Sequence, residues 1–462
     1  MAFSLGQPQL RLLCGALFAS LLLIGQQASA QVTPESLIGD AVSDPDAARY
    51  SDIAEAIKRY ENNDVLGAMN FLESAKSAED RLPPANLMMA KMYFLTRQTA
   101  AGLQALERTA SESPNDPEPY VLLADQAMTQ SQAVQASALY DKAVELIKTY
   151  DKNPRRKRKL AIRAYAGRAA VLQRWQDWAA AEADLNAWIA EDPEAASAYN
   201  RLGLVLFMEG REKEGYDAFT KAKELNEKLP SPFVSAAAMY QRLANVPENS
   251  ENKASYESKA KQSFERAYQA DKNDETTLVS YSEWLIRSGD LAQAEKVLAA
   301  ARTAQPTSHQ IQLLSGVLAE MTGKPAEAEK FYNQTLALSP GNRDASNQLA
   351  QLLIKSDDEE VQARAEAVAR LNARLNENNS DVNLTLAWVL RKRNKGAEAN
   401  QAFTRGIRLG QPNADSTLLI AKLLVEQERK KDARAVLENA LKNDQGIFVH
   451  RAEAEALLES LK

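Results

Sequence analysis

Shifted on itself by 34 residues, the chain lays small residues on small ones and large apolar residues on large ones. Between Ser280 and Asn342, Gly289 falls on Gly323, Ala294 on Ala328, Leu298 on Tyr332 and Pro306 on Pro340. The same shift sets Ala387 on Ala421, Ala399 on Ala433 and Phe403 on Leu437, and nearer the start Ala90 on Ala124 and Leu106 on Tyr140. A fixed period of this size restricts the chain to a stack of one supersecondary unit, because a single unit cannot bury its apolar face alone and needs its neighbours to cover it.

Each unit reads as two amphipathic helices. In the stretch from Thr276 to Pro306, Leu278, Tyr281 and Leu285 mark one helix at three- and four-residue spacing, and Leu291, Ala294, Leu298 and Ala301 mark a second. Ser288-Gly289-Asp290 turns the chain between them: glycine takes a positive φ at low cost and aspartate caps the next helix. Pro306 ends the second helix, since it donates no hydrogen bond and disfavours helical geometry in the residue before it. Small residues at Ser282 and Ala294 let the two helices approach, with Leu298 filling the seam.

These columns resemble the tetratricopeptide repeat family. Tyr199, Leu202, Gly203, Leu206, Gly210, Phe219 and Ala222 follow its pattern of large, small and aromatic positions, as do Tyr120, Leu123, Ala124, Ala136, Tyr140 and Ala143. The resemblance implies an all-α, right-handed superhelical solenoid of about eleven helix-turn-helix repeats closed by a C-terminal capping helix. Repeats one to three are expected over 51–147, four to eight over 162–342 and nine to eleven over 343–446, with the first, sixth and ninth degenerate. The cap is expected over 447–462, with Ala452, Ala456, Leu457 and Leu461 on its apolar side.

Two stretches interrupt the phase. A basic spacer, 148–161, contains five consecutive cations from Arg155 to Lys159; it reads as a solvated helix extension after a capped turn at Asn153-Pro154, or as a contact for an anionic partner. An insertion over 243–258 is polar and contains Pro247, and reads as a protruding loop, either neutral or carrying binding contacts.

At the start, Leu12–Ile24 is an uncharged, mainly apolar run preceded by Arg11 and followed by Ala28-Ser29-Ala30. That is the layout of a signal peptide over 1–30 with cleavage after Ala30, an uncleaved anchor being the alternative, followed by a polar linker over 31–50. The expected location is therefore periplasmic or secreted. The leader holds the only cysteine, Cys14, so the mature chain has no disulfide to form.

Chemistry is sparse. With two histidines, His309 and His450, no His/Cys metal cluster is expected. Neither histidine has a nucleophile nearby in sequence, and both read as surface residues. HExxH, G-x-S-x-G, G-x-G-x-x-G and Walker-type motifs are all missing from the sequence. With 56 basic and 62 acidic residues the net charge of −6 offers no general attraction to nucleic acid. The chain thus reads as non-catalytic, without cofactor, metal or nucleic-acid partner, and with membrane contact only through the leader if it is uncleaved.

The family resemblance implies that the first helix of each unit lines an inner groove that takes a partner protein or peptide. Carried onto this sequence, the partner-binding positions are Lys91, Phe94, Arg163, Arg174, Phe207, Met208, Met321, Trp388, Arg391 and Lys392. Trp388 and Arg391, three apart on one helix, are the first expected hot spot. The alternative is an envelope glycan or exopolysaccharide ligand, suggested by Trp175, Trp178 and Trp188 in one unit, although Trp188 falls on a packing column. A hydrolase, with a carboxylate pair that no motif marks, is a third reading.

Overall fold

The computed structural model describes residues 32–38, 51–443 and 446–461. The expected signal peptide lies outside them. Within them every regular element is helical, and the chain divides into two units between Leu229 and Pro230.

The N-terminal unit opens with a short helix, α1 (Pro34–Ile38). Five hairpins follow: α2 (Ser51–Glu61) with α3 (Val65–Ala78), α4 (Ala85–Leu95) with α5 (Thr99–Glu112), α6 (Glu118–Thr129) with α7 (Ala133–Thr149), α8 (Pro154–Trp175) with α9 (Trp178–Glu191), and α10 (Ala196–Met208) with α11 (Glu212–Leu225). The C-terminal unit has six hairpins: α12 (Pro232–Ala244) with α13 (Lys253–Ala270), α14 (Glu275–Ser288) with α15 (Leu291–Ala304), and α16 (His309–Met321) with α17 (Pro325–Leu338). They continue with α18 (Arg343–Leu353) and α19 (Glu359–Leu375), α20 (Ser380–Lys392) and α21 (Gly396–Leu409), and α22 (Ala414–Glu426) and α23 (Lys430–Asn443), before the closing α24 (Arg451–Ser460). Eleven hairpins and a terminal helix make a helical-repeat solenoid, as the 34-residue period requires.

Helix ends follow from the sequence. The side chains of Asp177, Asp274, Asp290, Asn342, Asn379 and Asn413 each accept a hydrogen bond from a backbone N–H in the first turn of the helix they precede. The left-handed turn residue is glycine in only three hairpins, Gly210, Gly289 and Gly323. Asn63, Arg97, Ser131, Gln176, Asn394 and Glu428 take the same conformation elsewhere, at φ between 57° and 63°. The sixth and ninth hairpins, whose connections are longer, have no such residue.

Small residues set the closest approach. A Cβ on Gly203 of α10 would lie 2.6 Å from the Phe219 ring and 2.9 Å from the Gly215 carbonyl oxygen of α11, and a Cβ on Gly215 would lie 2.9 Å from the Gly203 carbonyl. Backbone cannot yield as a flexible side chain does. Gly203→Val is therefore expected to lower the stability of the N-terminal unit by about 1–3 kcal/mol, read from its urea unfolding midpoint, with the helical signal retained under native conditions.

Four expectations are corrected. The basic spacer is not wholly solvated: Arg155–Lys159 form the first turns of α8, which starts eight residues before the expected Ile162, and Arg156 points into the interior. The insertion is not all loop, since a 3₁₀ helix spans Pro247–Asn252 and residues from Lys253 extend α13, with Tyr256 stacked on Tyr240. The linker over 31–50 contains buried residues, Val32, Leu37 and Ile38, packed with the first hairpins. Finally, the closing helix starts at Arg451, so its buried side carries Ala454, with Leu457, Leu458 and Leu461 partly covered, while Ala452 and Ala456 are exposed.

Candidate functional site

In the C-terminal unit α14, α16, α18, α20 and α22, the first helices of successive hairpins, each pack on the next, whereas the second helices do not pack on one another to the same extent. The first helices therefore form the inner face of the stack. In the N-terminal unit α6 touches α8 in the same way, and α1 packs against the first helices α2 and α4.

On the inner side of the N-terminal unit, Lys91 of α4 donates to the Leu37 carbonyl of α1 at 3.1 Å and pairs with Glu118 of α6 at 2.6 Å. Glu118 also accepts from Arg156 Nε at 2.8 Å. The Arg156 guanidinium binds both oxygens of Asp116 at 2.9 and 2.6 Å, donates to the Tyr150 hydroxyl at 2.7 Å, and lies 5.3 Å from the centre of that ring. Burial alone would raise the Glu118 carboxyl, but the charges of Lys91 and Arg156 and their hydrogen bonds outweigh it and lower its pKa to about 2. Arg156 is held firmly charged by the same carboxylates, against the cost of its burial.

On the inner side of the C-terminal unit, the half-buried Trp388 ring lies between two ammonium groups, Lys392 Nζ at 4.4 Å and Lys422 Nζ at 5.1 Å from its centre. Arg391 pairs with Glu426 at 2.6 Å, and Lys392 reaches the same carboxylate at 3.5 Å. Met321 is half-buried against the main hydrophobic cluster.

Between α23 and α24, residues 446–450 cross this face without regular structure. Phe448 is buried among residues that include Leu384, Leu418 and Leu424, while Ile447 and Val449 pack against the cluster that runs through α12 to α20. His450 closes the segment. Its Nδ1 is 2.8 Å from Asp415 Oδ1 and its Nε2 is 3.0 Å from Glu320 Oε1, a contact across 130 positions of sequence. The backbone N–H groups of Val449 and His450 donate to Asp415 at 3.1 and 2.9 Å, and the Tyr332 hydroxyl donates to Glu320 at 3.0 Å. Burial pushes the imidazole pKa down, yet hydrogen bonds to Asp415 and Glu320 prevail and raise it to about 9. His450 is thus a buried histidine whose carboxylate partners favour its charged form, and the expectation of a surface residue is corrected. Both ring nitrogens are engaged by these carboxylates, and Lys355 Nζ also lies 2.9 Å from Nε2, so neither nitrogen is open to a substrate.

The ten expected partner-binding residues divide into three groups. Phe207 is a correction: at 1% exposure it is a core residue stacked on Phe219 with ring centres 5.6 Å apart, because it faces the second helix of its own hairpin. Lys91 and Phe94 are committed within the fold, Lys91 by its ion pair and Phe94 by packing near Leu87, Ala90 and Leu106. Met208, Met321 and Trp388 are half-buried, and Arg163, Arg174, Arg391 and Lys392 are exposed, Arg163 pairing with Asp125 at 2.5 Å. Of the three tryptophans proposed for a glycan, Trp178 and Trp188 pack into a hydrophobic cluster and Trp175 is exposed. Among the described residues no group of His, Cys, Asp and Glu could hold a metal ion, and no helix is long and apolar enough to cross a membrane.

Sequence reasoning missed His450, Asp415 and Glu320 as a group. No local pattern joins residues this far apart, and only the path of 446–450 back across the stack brings them together.

Stacked hairpins with their first helices inside define the helical-repeat solenoid class. Three stretches, 167–230, 285–343 and 384–459, match the tetratricopeptide repeat family model. Similar solved structures include yeast Tom70 (12% identity, 90% of this chain and 96% of that one, TM-score 0.37) and a tetratricopeptide repeat protein from Parabacteroides merdae (15%, 65% and 98%, TM-score 0.34). Another is YrrB, described as a tetratricopeptide repeat protein with an unusual peptide-binding site (19%, 53% and 96%, TM-score 0.24). TM-scores of this size do not define a shared overall shape. No curated protein matches the chain.

Proposed function

We propose that the protein is an exported, non-catalytic scaffold that binds partner proteins or peptides along the inner faces of its units, in the assembly of envelope or secreted complexes. The observation that carries this reading is that both inner faces hold a short, non-repeat segment of the chain: α1 against α2 and α4, and residues 446–450 across the first helices of the C-terminal unit. A surface that holds one segment through apolar packing, backbone hydrogen bonds and a fixed charge has the means to hold another. Export rests on the layout of the first thirty residues. The glycan alternative keeps less support, since two of its three tryptophans are packed.

Trp388 and Arg391 remain the first residues to change. Their joint replacement by alanine is expected to reduce recovery of crosslinked partners from the exported protein at least tenfold while the far-ultraviolet circular dichroism is unchanged. Equal recovery with and without the two side chains would remove this face from the proposal.

A further inference from the structure

The segment Gly446–His450 differs from everything around it. It belongs to neither helix of a repeat, and it lies on the inner face with its side chains inserted, as a bound peptide would. Three features hold it. Phe448 occupies an apolar site between α20 and α22. Ile447 and Val449 on either side cover the main cluster. His450 then sits between carboxylates from two hairpins well separated in sequence, Glu320 of α16 and Asp415 of α22.

The receiving surface is chemically specific. Asp415 accepts two backbone N–H groups from the segment as well as the imidazole, so it reads backbone direction and charge together. Glu320 is kept in place by the Tyr332 hydroxyl. The other charged groups facing the imidazole set its limits: Lys355 Nζ, beyond α18, lies 2.9 Å from Nε2 and opposes its charge, while Glu453 of α24, itself paired with Lys422, favours it. Glu320 and Asp415 make a site for one cation delivered immediately after an apolar run. The closing helix has its own anchorage through Ala454, its packing on α23 and the Glu453 ion pair with Lys422 of α22, so it does not depend on the segment for all of its burial.

We propose that residues 446–450 form a displaceable strap, and that the partner which replaces it is an extended peptide of the same chemistry: an aromatic side chain flanked by aliphatic ones and followed directly by a cationic residue. The proposal rests on the reading of the inner face as a peptide-binding surface and specifies both its ligand and its resting state. In the resting chain the strap occupies the site, and a partner must compete with a segment tethered at high effective concentration. The competing peptide gains the Phe pocket and the two-carboxylate site, and the strap moves off to let it in.

The test uses the full chain and a fluorescein-labelled peptide of sequence GIFVHR, with a scrambled peptide as control, followed by polarisation at pH 7.5. The double variant Phe448→Ala, His450→Gln is expected to bind this peptide at least tenfold more tightly than the wild type, because its own strap no longer competes. Adding Glu320→Gln to that variant is expected to remove most of the gain, whereas the scrambled peptide binds neither. A strap variant with native circular dichroism and no saturable binding overturns the proposal.

Should the strap variant lose its fold, hydrogen exchange of the wild-type chain decides. Amides of Val449 and His450 are expected to exchange at least tenfold faster than those in the middle of α20 and α22, reporting local release. Exchange at the same rate as those helices means that the segment opens only by global unfolding, and the strap is refuted. Peptide failure alongside Trp388-dependent partner capture would discard the strap and leave the scaffold reading intact. Peptide binding without any captured partner would keep the strap and its peptide site and discard the role in assembling complexes.

Discussion

Arg156→Ala is expected to lower the unfolding temperature of the N-terminal unit by roughly 10 °C, an effect far larger than that of any other substitution in the basic run. The Arg156 guanidinium is 7% exposed and neutralises two carboxylates with poor access to water, Asp116 and Glu118 at 12% and 11%. Removing it leaves Glu118 with Lys91 alone and strips Asp116 of both of its guanidinium hydrogen bonds. Breaking a buried ion pair on one side costs about 3–5 kcal/mol, because the remaining charge stays desolvated. In a domain of this size each kcal/mol lowers the midpoint by about 2–4 °C. Arg158, two residues on and pointing to nearly the opposite side of α8, is 55% exposed and 3.7 Å from Asp192 and serves as the control: its replacement is expected to cost less than about 1 kcal/mol.

The same cluster carries an acid signature. Glu118 has its folded pKa depressed from 4.5 to about 2, so its contribution is present above pH 4.5 and is lost as the pH falls toward 2. Differential scanning calorimetry of wild type and Arg156→Ala at neutral pH and at pH 3 checks both statements. Equal midpoints for the two proteins at neutral pH would mean that the cluster adds nothing to the stability of this unit.

The basic run shows where sequence reading reached its limit. A helix start after Asn153-Pro154 is a local matter of capping and was legible, and Asn153 does accept from the Arg156 N–H at 3.1 Å. Which of five adjacent cations turns inward depends on carboxylates just before and at the start of α6, 40 and 38 positions earlier, and no local pattern states that. The repeat architecture was readable for the opposite reason: it is a local signal repeated eleven times, so Gly203, Ala294 and Leu298 announce their contacts within one period. Non-glycine turn residues such as Arg97 and Gln176 gave no sign of their left-handed conformation, because the stacked helices on either side impose it. The inner face was legible as a set of first helices, but not as an occupied one. Its occupants, α1 and residues 446–450, lie outside the repeat and were read as linker and cap.

Between pH 6.5 and 9 the C-terminal unit is expected to lose about 3 kcal/mol of stability, and His450→Gln is expected to abolish that loss. The imidazole pKa is raised from 6.5 to about 9 in the folded chain, so its stabilisation is complete below pH 6.5 and disappears as the pH rises through 9. Urea midpoints at pH 6, 7.5 and 9 measure it directly. At pH 6 the variant is less stable than the wild type, and by pH 9 the two curves approach each other. Other groups do not mimic this. Glu320 has its pKa lowered despite its burial, by the hydrogen bond and charge of His450, so its own contribution is lost only in acid. Burial lowers the pKa of Lys422, which makes its effect on stability run the opposite way as pH rises. A wild-type slope that persists unchanged in His450→Gln would assign the titration elsewhere and leave the His450 pairs energetically neutral. The slope also bears on access to the inner face: if the charge of His450 helps to hold residues 446–450 in place, alkaline conditions loosen the segment before the repeats themselves unfold. Faster exchange of the Val449 amide at pH 9 than at pH 7, beyond the intrinsic effect of hydroxide and absent from α20, is the local counterpart of the global measurement.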